Sequence, residues 1–161
     1  MTSTAKPSLD PGSVDAAKET ALLLLDRRDY SRAELLRKLE EKGFDAAAAE
    51  QALDRLTELG FVDDARYAPI VVRHYAAKGY GARRVQQELQ RRGIPKELWD
   101  AAMEEMPEQD ETVDRLLRAR LRGADLSDRD ALRRATDALL RRGYGWDEIT
   151  AAVERAREER E

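Results

Sequence analysis

A chain of 161 residues, 42% hydrophobic and 39% charged, has room for one ordinary domain or a few very small modules, and little for a large enclosed active site. It contains no cysteine, which excludes a disulfide scaffold, thiol catalysis and any zinc site that needs thiolates. The net charge of −4 is unevenly spread: residues 1–60 carry −3, residues 61–100 carry +3 and residues 101–161 carry −4. The whole is no polycation, so tight DNA binding through bulk charge is not expected, but a local basic patch in the middle is allowed.

In chain order, residues 1–13 are rich in Ser, Thr and Pro with almost nothing apolar, and read as a disordered N-terminal tail. From Val14 onward Ala, Leu, Glu and Arg dominate and apolar residues recur at spacings of three and four, which predicts an all-α fold. The longest apolar run, Ala21 to Leu25, ends in Asp26-Arg27-Arg28 and is far short of a membrane span. The N-terminus lacks the apolar core of a signal peptide, so a cytoplasmic protein with no membrane partner is expected.

Gly43, Gly93 and Gly143 stand fifty residues apart, each followed by an apolar residue, with Leu39, Leu89 and Leu139 and then Ala52, Ala102 and Ala152 in the same register. Glycine three times at one place predicts a left-handed residue just past a helix C-terminus. A repeat of about 50 residues means stacked supersecondary units. The expected architecture is three tandem three-helix modules in an elongated, curved array: module 1 at 14–60, module 2 at 61–106, a polar linker at 107–110 and module 3 at 111–161.

Within module 1, helices are expected from about Val14 to Arg28, from Ser31 through a capping box with Glu34, and after an Asp45 cap. In module 2, Asp63 or Asp64 caps the first helix, Gly81 takes the slot of Ser31, and Pro95 sits in a first turn. Pro69 falls about a turn inside that first helix, so the helix is either kinked or starts later than Asp64. In module 3 the first helix spans roughly Glu111 to Arg122, Gly123 to Ser127 is a looser connection, and Asp128 or Asp130 caps the second helix.

No enzyme constellation emerges. His74 is the only histidine, and neither a metal cluster nor a nucleophile with a general base can be built around it. The adjacent acids Asp63 and Asp64 read as helix caps rather than metal ligands. Gly79-Tyr80-Gly81 reads as a turn, not a phosphate cradle. No cofactor and no metal is expected, and the chain is not expected to be an enzyme.

Four arginines recur at the fifty-residue shift: Arg83 with Arg133, Arg84 with Arg134, Arg91 with Arg141, and Arg92 with Arg142. They are either a solvated helix face or a docking strip for acidic side chains or phosphates, both of which the planar guanidinium fork binds bidentately. Tyr30, Tyr80 and Tyr144 lie beside expected turns, and Trp99 and Trp146 open third helices. These aromatics read as packing unless several prove exposed beside arginine, where they could stack single-stranded bases.

The run Tyr30-Ser31-Arg32-Ala33-Glu34-Leu35, with Lys38-Leu39 and Gly43-Phe44, resembles the opening module of the RecX family of recombinase regulators. So does Gly60 to Ala68. Lys78-Gly79-Tyr80-Gly81, Arg83-Arg84-Val85, Glu88-Leu89 and Arg92-Gly93-Ile94 resemble that family's most characteristic block, and Arg141 to Tyr144 with Ile149 is similar to its third module. The family's middle-module motif falls on Asp63, Asp64, Tyr67, Gly79, Tyr80, Gly81, Arg83, Arg84, Glu88, Leu89 and Gly93. Here the glycines are expected to make turns, Leu89 to lie in the core and Asp64 to cap. The resemblance implies a non-enzymatic protein that binds RecA filaments on single-stranded DNA, suppressing ATP hydrolysis and strand exchange in recombination and repair. Contact with the filament or its DNA is then expected from Arg83, Arg84, Arg91, Arg92, Arg133, Arg134, Arg141 and Arg142, with at most weak direct DNA contact and a monomeric state. The rival reading is a nucleic-acid-binding helical module acting without RecA, since small three-helix units resemble helix-turn-helix domains; a helical scaffold for some other protein is a third.

Overall fold

The computed structural model describes residues 10–160; residues 1–9 of the expected tail at 1–13 lie outside them. Among the described residues every regular element is helical: α1 (Val14–Arg27), α2 (Arg32–Glu41), α3 (Ala46–Glu58), α4 (Asp64–Ala77), α5 (Ala82–Arg91), α6 (Trp99–Met103), α7 (Asp110–Leu121), α8 (Arg129–Arg141) and α9 (Trp146–Glu158), with a 3-10 turn at Lys96–Leu98 before α6. None is long and apolar enough to cross a membrane. The chain divides into two compact units: one holds the residues up to Ala68 with Arg91–Leu98, the other Pro69–Gln90 with the residues from Trp99 onward.

In the first unit α1, α2 and α3 enclose a core of Ala17, Ala21, Leu35, Leu39, Ala52, Leu53 and Leu56, the apolar stripe at helical spacing that drives amphipathic helices together. Asp10 to Ser13 are not loose: the Pro11 carbonyl accepts from Asp45 N at 2.8 Å, and Ser13 Oγ caps α1 through Ala16 N at 3.1 Å. Asp45 is the N-cap residue of α3, yet its side chain makes no capping bond.

In the second unit Val113, Leu117, Leu121, Ala135, Leu139, Tyr144, Ile149 and Ala152 form the core of α7, α8 and α9. Arg155 clamps α9 to α7 with a two-pronged bond to Asp114, Nη2 to Oδ1 at 2.8 Å and Nε to Oδ2 at 3.1 Å. Asp128 caps α8 through Ala131 N at 3.1 Å, which decides between the two acids expected there. Asp110, placed in the linker by composition, opens α7.

Pro69 does not delay α4, which runs from Asp64 with the proline inside it. A proline there forfeits one bond, to the Ala65 carbonyl, at a residue exposed to solvent, where a freed acceptor can be hydrated. The buried face of α4, Ala68, Val71, Val72 and Ala76, keeps helical spacing straight through the proline.

Candidate functional site

The same contact occurs once in each unit. A helix N-terminus receives the glycine turn that ends another helix about sixty residues later. In the first unit Ser31 opens α2. Its Oγ accepts from Glu34 N at 3.0 Å while Glu34 Oε1 accepts from Ser31 N at 3.1 Å, so the expected capping box is present. The same hydroxyl donates to the Arg92 carbonyl. Gly93, at φ 71°, stands so close that a Cβ there would lie 2.4 Å from Ala33 Cβ.

Glu34 is buried and gathers cations: Arg28 Nη2 lies 3.2 Å from Oε2 and Arg92 Nη1 3.9 Å from it. Arg92 Nη1 also donates to the Tyr67 hydroxyl at 2.6 Å. Burial pushes the Tyr67 phenol above its ordinary range, with the Glu34 charge adding to the rise and Arg92 opposing it.

The two adjacent acids do different work. Asp63 Oδ1 caps its own helix through Arg66 N at 3.1 Å. Asp64 Oδ1 instead caps α2, accepting from Arg32 N at 2.9 Å. Asp64 is therefore a cap, but of a helix thirty residues away. Burial raises its carboxyl above the usual range, against the pull of the Arg32 N–H.

In the second unit the receiving terminus is that of α5. Gly81 N donates to the Arg142 carbonyl at 2.8 Å and Arg83 N to the Gly143 carbonyl at 3.1 Å. Tyr144, fully buried, donates its hydroxyl to the Gly79 carbonyl at 2.8 Å. Arg142 Nη1 reaches the carbonyls of Lys78 at 3.1 Å and Gly79 at 3.3 Å. The Tyr80 ring is flanked by Arg84 at 5.4 Å and Arg142 at 5.3 Å from its centroid, within cation–π range. Arg84 Nη2 lies 3.4 Å from Oε1 of Glu88, a carboxylate only 2% exposed.

The eight recurring arginines thus part company. Arg92 and Arg142 direct guanidinium groups into these internal seams, and Arg84 is half-buried against Glu88. Arg83, Arg91, Arg133, Arg134 and Arg141 are exposed, with Arg133 Nη2 3.6 Å from Asp130. Arg134 and Arg141 line a groove of about 490 Å³ between α8 and the end of α7, together with Arg120 and Arg122. The sequence repeat did not single out Arg120 or Arg122, because neither has a counterpart fifty residues earlier; the only local signal was arginine before Gly123 at a helix end. Of the aromatics, Trp146 is 59% exposed and Tyr144 is core, while Trp99 is half-buried at the start of α6. His74 is exposed, its ring edge-on to Tyr75. Among the described residues no cluster of three or more His, Cys, Asp or Glu could hold a metal ion.

Residues 17–56 match the first three-helix domain of RecX and residues 63–103 the second, together half of the chain. The regulatory protein RecX of Trichlorobacter lovleyi is 41% identical over 141 residues, spanning 84% of this chain and 92% of its own. The chain belongs to the RecX family. The regulatory protein RecX of Vibrio campbellii is 34% identical over 139 residues, with 86% and 90% covered. The crystal structure of RecX from Lactobacillus salivarius superposes with a TM-score of 0.80 at 20% identity, covering 88% of this chain and 95% of that one, and shares the fold. The RecX block from Asp63 to Gly93 is largely seam hardware in this chain: Asp63 and Asp64 cap, Tyr67 receives Arg92, Gly79 and Gly81 receive Tyr144 and Arg142, Glu88 pairs with Arg84, and Leu89 lies in the core.

Proposed function

We propose that this chain regulates RecA by binding its filament on single-stranded DNA, restraining ATP hydrolysis and strand exchange through occupancy rather than chemistry of its own. Family membership, at 41% identity to a regulatory protein RecX across 92% of that protein, carries the reading. The placement of the arginines supports a division of labour: those in the seams hold the fold, and the exposed Arg83, Arg91, Arg133, Arg134 and Arg141 are the contact candidates. Exposed guanidinium forks suit carboxylates of a protein filament and phosphates of its DNA alike.

The test is RecA's single-stranded-DNA-dependent ATPase rate, titrated with this protein, beside fluorescence anisotropy on the same DNA without RecA. Inhibition at or below stoichiometric protein is expected, as is its loss in Arg83→Glu/Arg91→Glu with helicity by circular dichroism unchanged. Full inhibition by that double variant removes those two arginines from the mechanism. No inhibition by the parent protein, together with tight, salt-steep DNA binding, replaces the reading with a nucleic-acid module that acts without RecA.

A further inference from the structure

The groove between α8 and the end of α7 contains the one residue other than glycine with a positive φ among the described residues. Arg122 sits at φ 51°, ψ 40°, its N–H bonded to the Arg118 carbonyl at 3.2 Å, and Gly123 follows at φ 80°. A left-handed arginine is uphill where glycine is at ease, so the position calls for an account. Helix-end electrostatics explains arginine at 118 and 120, in the last turn of α7. It favours a cation at the C-cap residue 122 as well, but there glycine would close the helix at a lower backbone cost. Arg122 instead lines the groove with Arg120, Arg134 and Arg141.

Arg134 and Arg141 are seven residues apart on α8 and so share a face, with Ala138 buried between them. No ion pair or hydrogen bond from the side chains of Arg120, Arg122, Arg134 or Arg141 is found among the described residues; Arg115, Arg129 and Arg157 share this, while Arg118, Arg133, Arg142, Arg155 and Arg160 have protein acceptors. Two carboxylates also line the groove. They are Asp128, which accepts from the Ala131 N–H at 3.1 Å, and Asp137. Four guanidinium forks against these two acids favour an anion.

We infer that this groove is a site for the phosphates of a single-stranded nucleic acid, and that Arg122 is held in a left-handed conformation to complete it. An acidic protein segment is the less suited occupant: protein docking sites centre on large apolar anchors or pockets for them, and the apolar lining here is Leu121 and three alanines, with Leu121 only 5% exposed. A phosphodiester strand needs no such anchor, and arginine binds its oxygens two at a time. The inference deepens the proposed function, on which it rests for its biological setting, by making DNA in the filament a direct partner.

The experiment uses the full chain and a labelled oligo-dT strand without RecA, so that it stands or falls apart from filament inhibition. Arg122→Gly is expected to weaken oligo-dT binding several-fold and to lower the salt slope by about one, while raising the melting temperature by relieving the backbone. Arg122→Lys keeps the charge and should retain most of the binding. Arg134→Ala/Arg141→Ala should weaken binding further without a gain in stability. Opposite movement of binding and stability in Arg122→Gly is the signature that a merely structural role does not produce. Unchanged oligo-dT binding in Arg122→Gly and in the double variant overturns the site. So does normal oligo-dT binding combined with loss of DNA-free RecA binding, which would make the groove a protein dock. Loss of oligo-dT binding with RecA inhibition intact supports the site and leaves the filament contact elsewhere.

Discussion

The two seams solve one problem with different atoms. At the start of α2 a serine side chain spans the gap, capping its own helix and donating to the Arg92 carbonyl; at the start of α5 there is no side chain at all, and the Gly81 backbone N–H makes the equivalent bond to the Arg142 carbonyl at 2.8 Å. The second seam is the tighter. A Cβ on Gly81 would stand 2.5 Å from the Gly143 carbonyl carbon, and a Cβ on Gly143 would stand 2.4 Å from Arg84 N, so backbone meets backbone on both sides. In the first seam the one clash of a Cβ on Gly93 is with the Ala33 methyl, the Ala33 Cα lying at an ordinary 3.8 Å. The difference teaches that a repeat in sequence conserves the contact but not its tolerance.

The largest effect should come from Gly143→Ala, which combines a φ of 97° with a clash against backbone that cannot step aside. A loss of at least about 3 kcal/mol in urea melts is expected. Gly81→Ser copies the first seam's residue into the second and supplies a good capping side chain. It should nevertheless destabilise by about 2 kcal/mol, since overpacking outweighs the few tenths that serine gains over glycine as a cap. A stabilised Gly81→Ser protein would mean that the two seams are interchangeable after all.

Gly93→Ala sharpens the contrast by being rescuable. Alone it should cost about 2 kcal/mol, from its φ of 71° and from the Ala33 methyl 2.4 Å away. Adding Ala33→Gly removes that methyl, and a double-mutant cycle should show coupling of about 1 kcal/mol. No glycine at position 84 can rescue Gly143→Ala in this way, because the obstacle is the Arg84 backbone nitrogen.

This asymmetry also separates what the sequence tells from what it hides. Ser31 with Glu34 was legible because a capping box is closed within four residues, and the turn glycines because helix ends dictate their conformation locally. The all-helical fold and the fifty-residue register follow from periodicity. Gly81 in the slot of Ser31 looks like a weak cap, and only its neighbour sixty-two residues away reveals that nothing larger fits. Asp64 reads as the cap of its own helix because its true partner, Arg32 N, is thirty-two residues distant. The arginine repeat was visible, but whether a guanidinium points at Tyr67, at Gly79 or outward depends on packing. Arg120 and Arg122 escaped altogether, since neither a left-handed backbone nor a shared groove leaves a mark in residue order.

Ser31→Ala tests the first seam from its donor side. It removes the cap and strips the Arg92 carbonyl of its hydroxyl partner, for an expected loss of about 1.5 kcal/mol. The loss should appear in hydrogen exchange at the first turn of α2, with the Glu34 amide the most affected. Protection unchanged there would show that the Glu34 half of the box suffices.

The smallest effects separate the seams by pH. Burial raises the phenols of Tyr67 and Tyr144 above their ordinary range. The unfolded chain gives up these protons near pH 10, while the folded chain still holds them. Above that pH the native state binds more protons than the unfolded state, so stability present below about pH 10 is lost as the pH climbs. Tyr144→Phe should cost under about 1 kcal/mol at pH 8, because Arg142 Nη1 continues to serve the Gly79 carbonyl at 3.3 Å. Tyr67→Phe should cost somewhat more, since Arg92 Nη1 loses its 2.6 Å acceptor. Between pH 8 and pH 11 each variant should lose less stability than the parent, and both together less again. Equal alkaline losses in parent and double variant would place the titrating groups elsewhere in the chain. A difference confined to one of the variants would identify which seam gives way first.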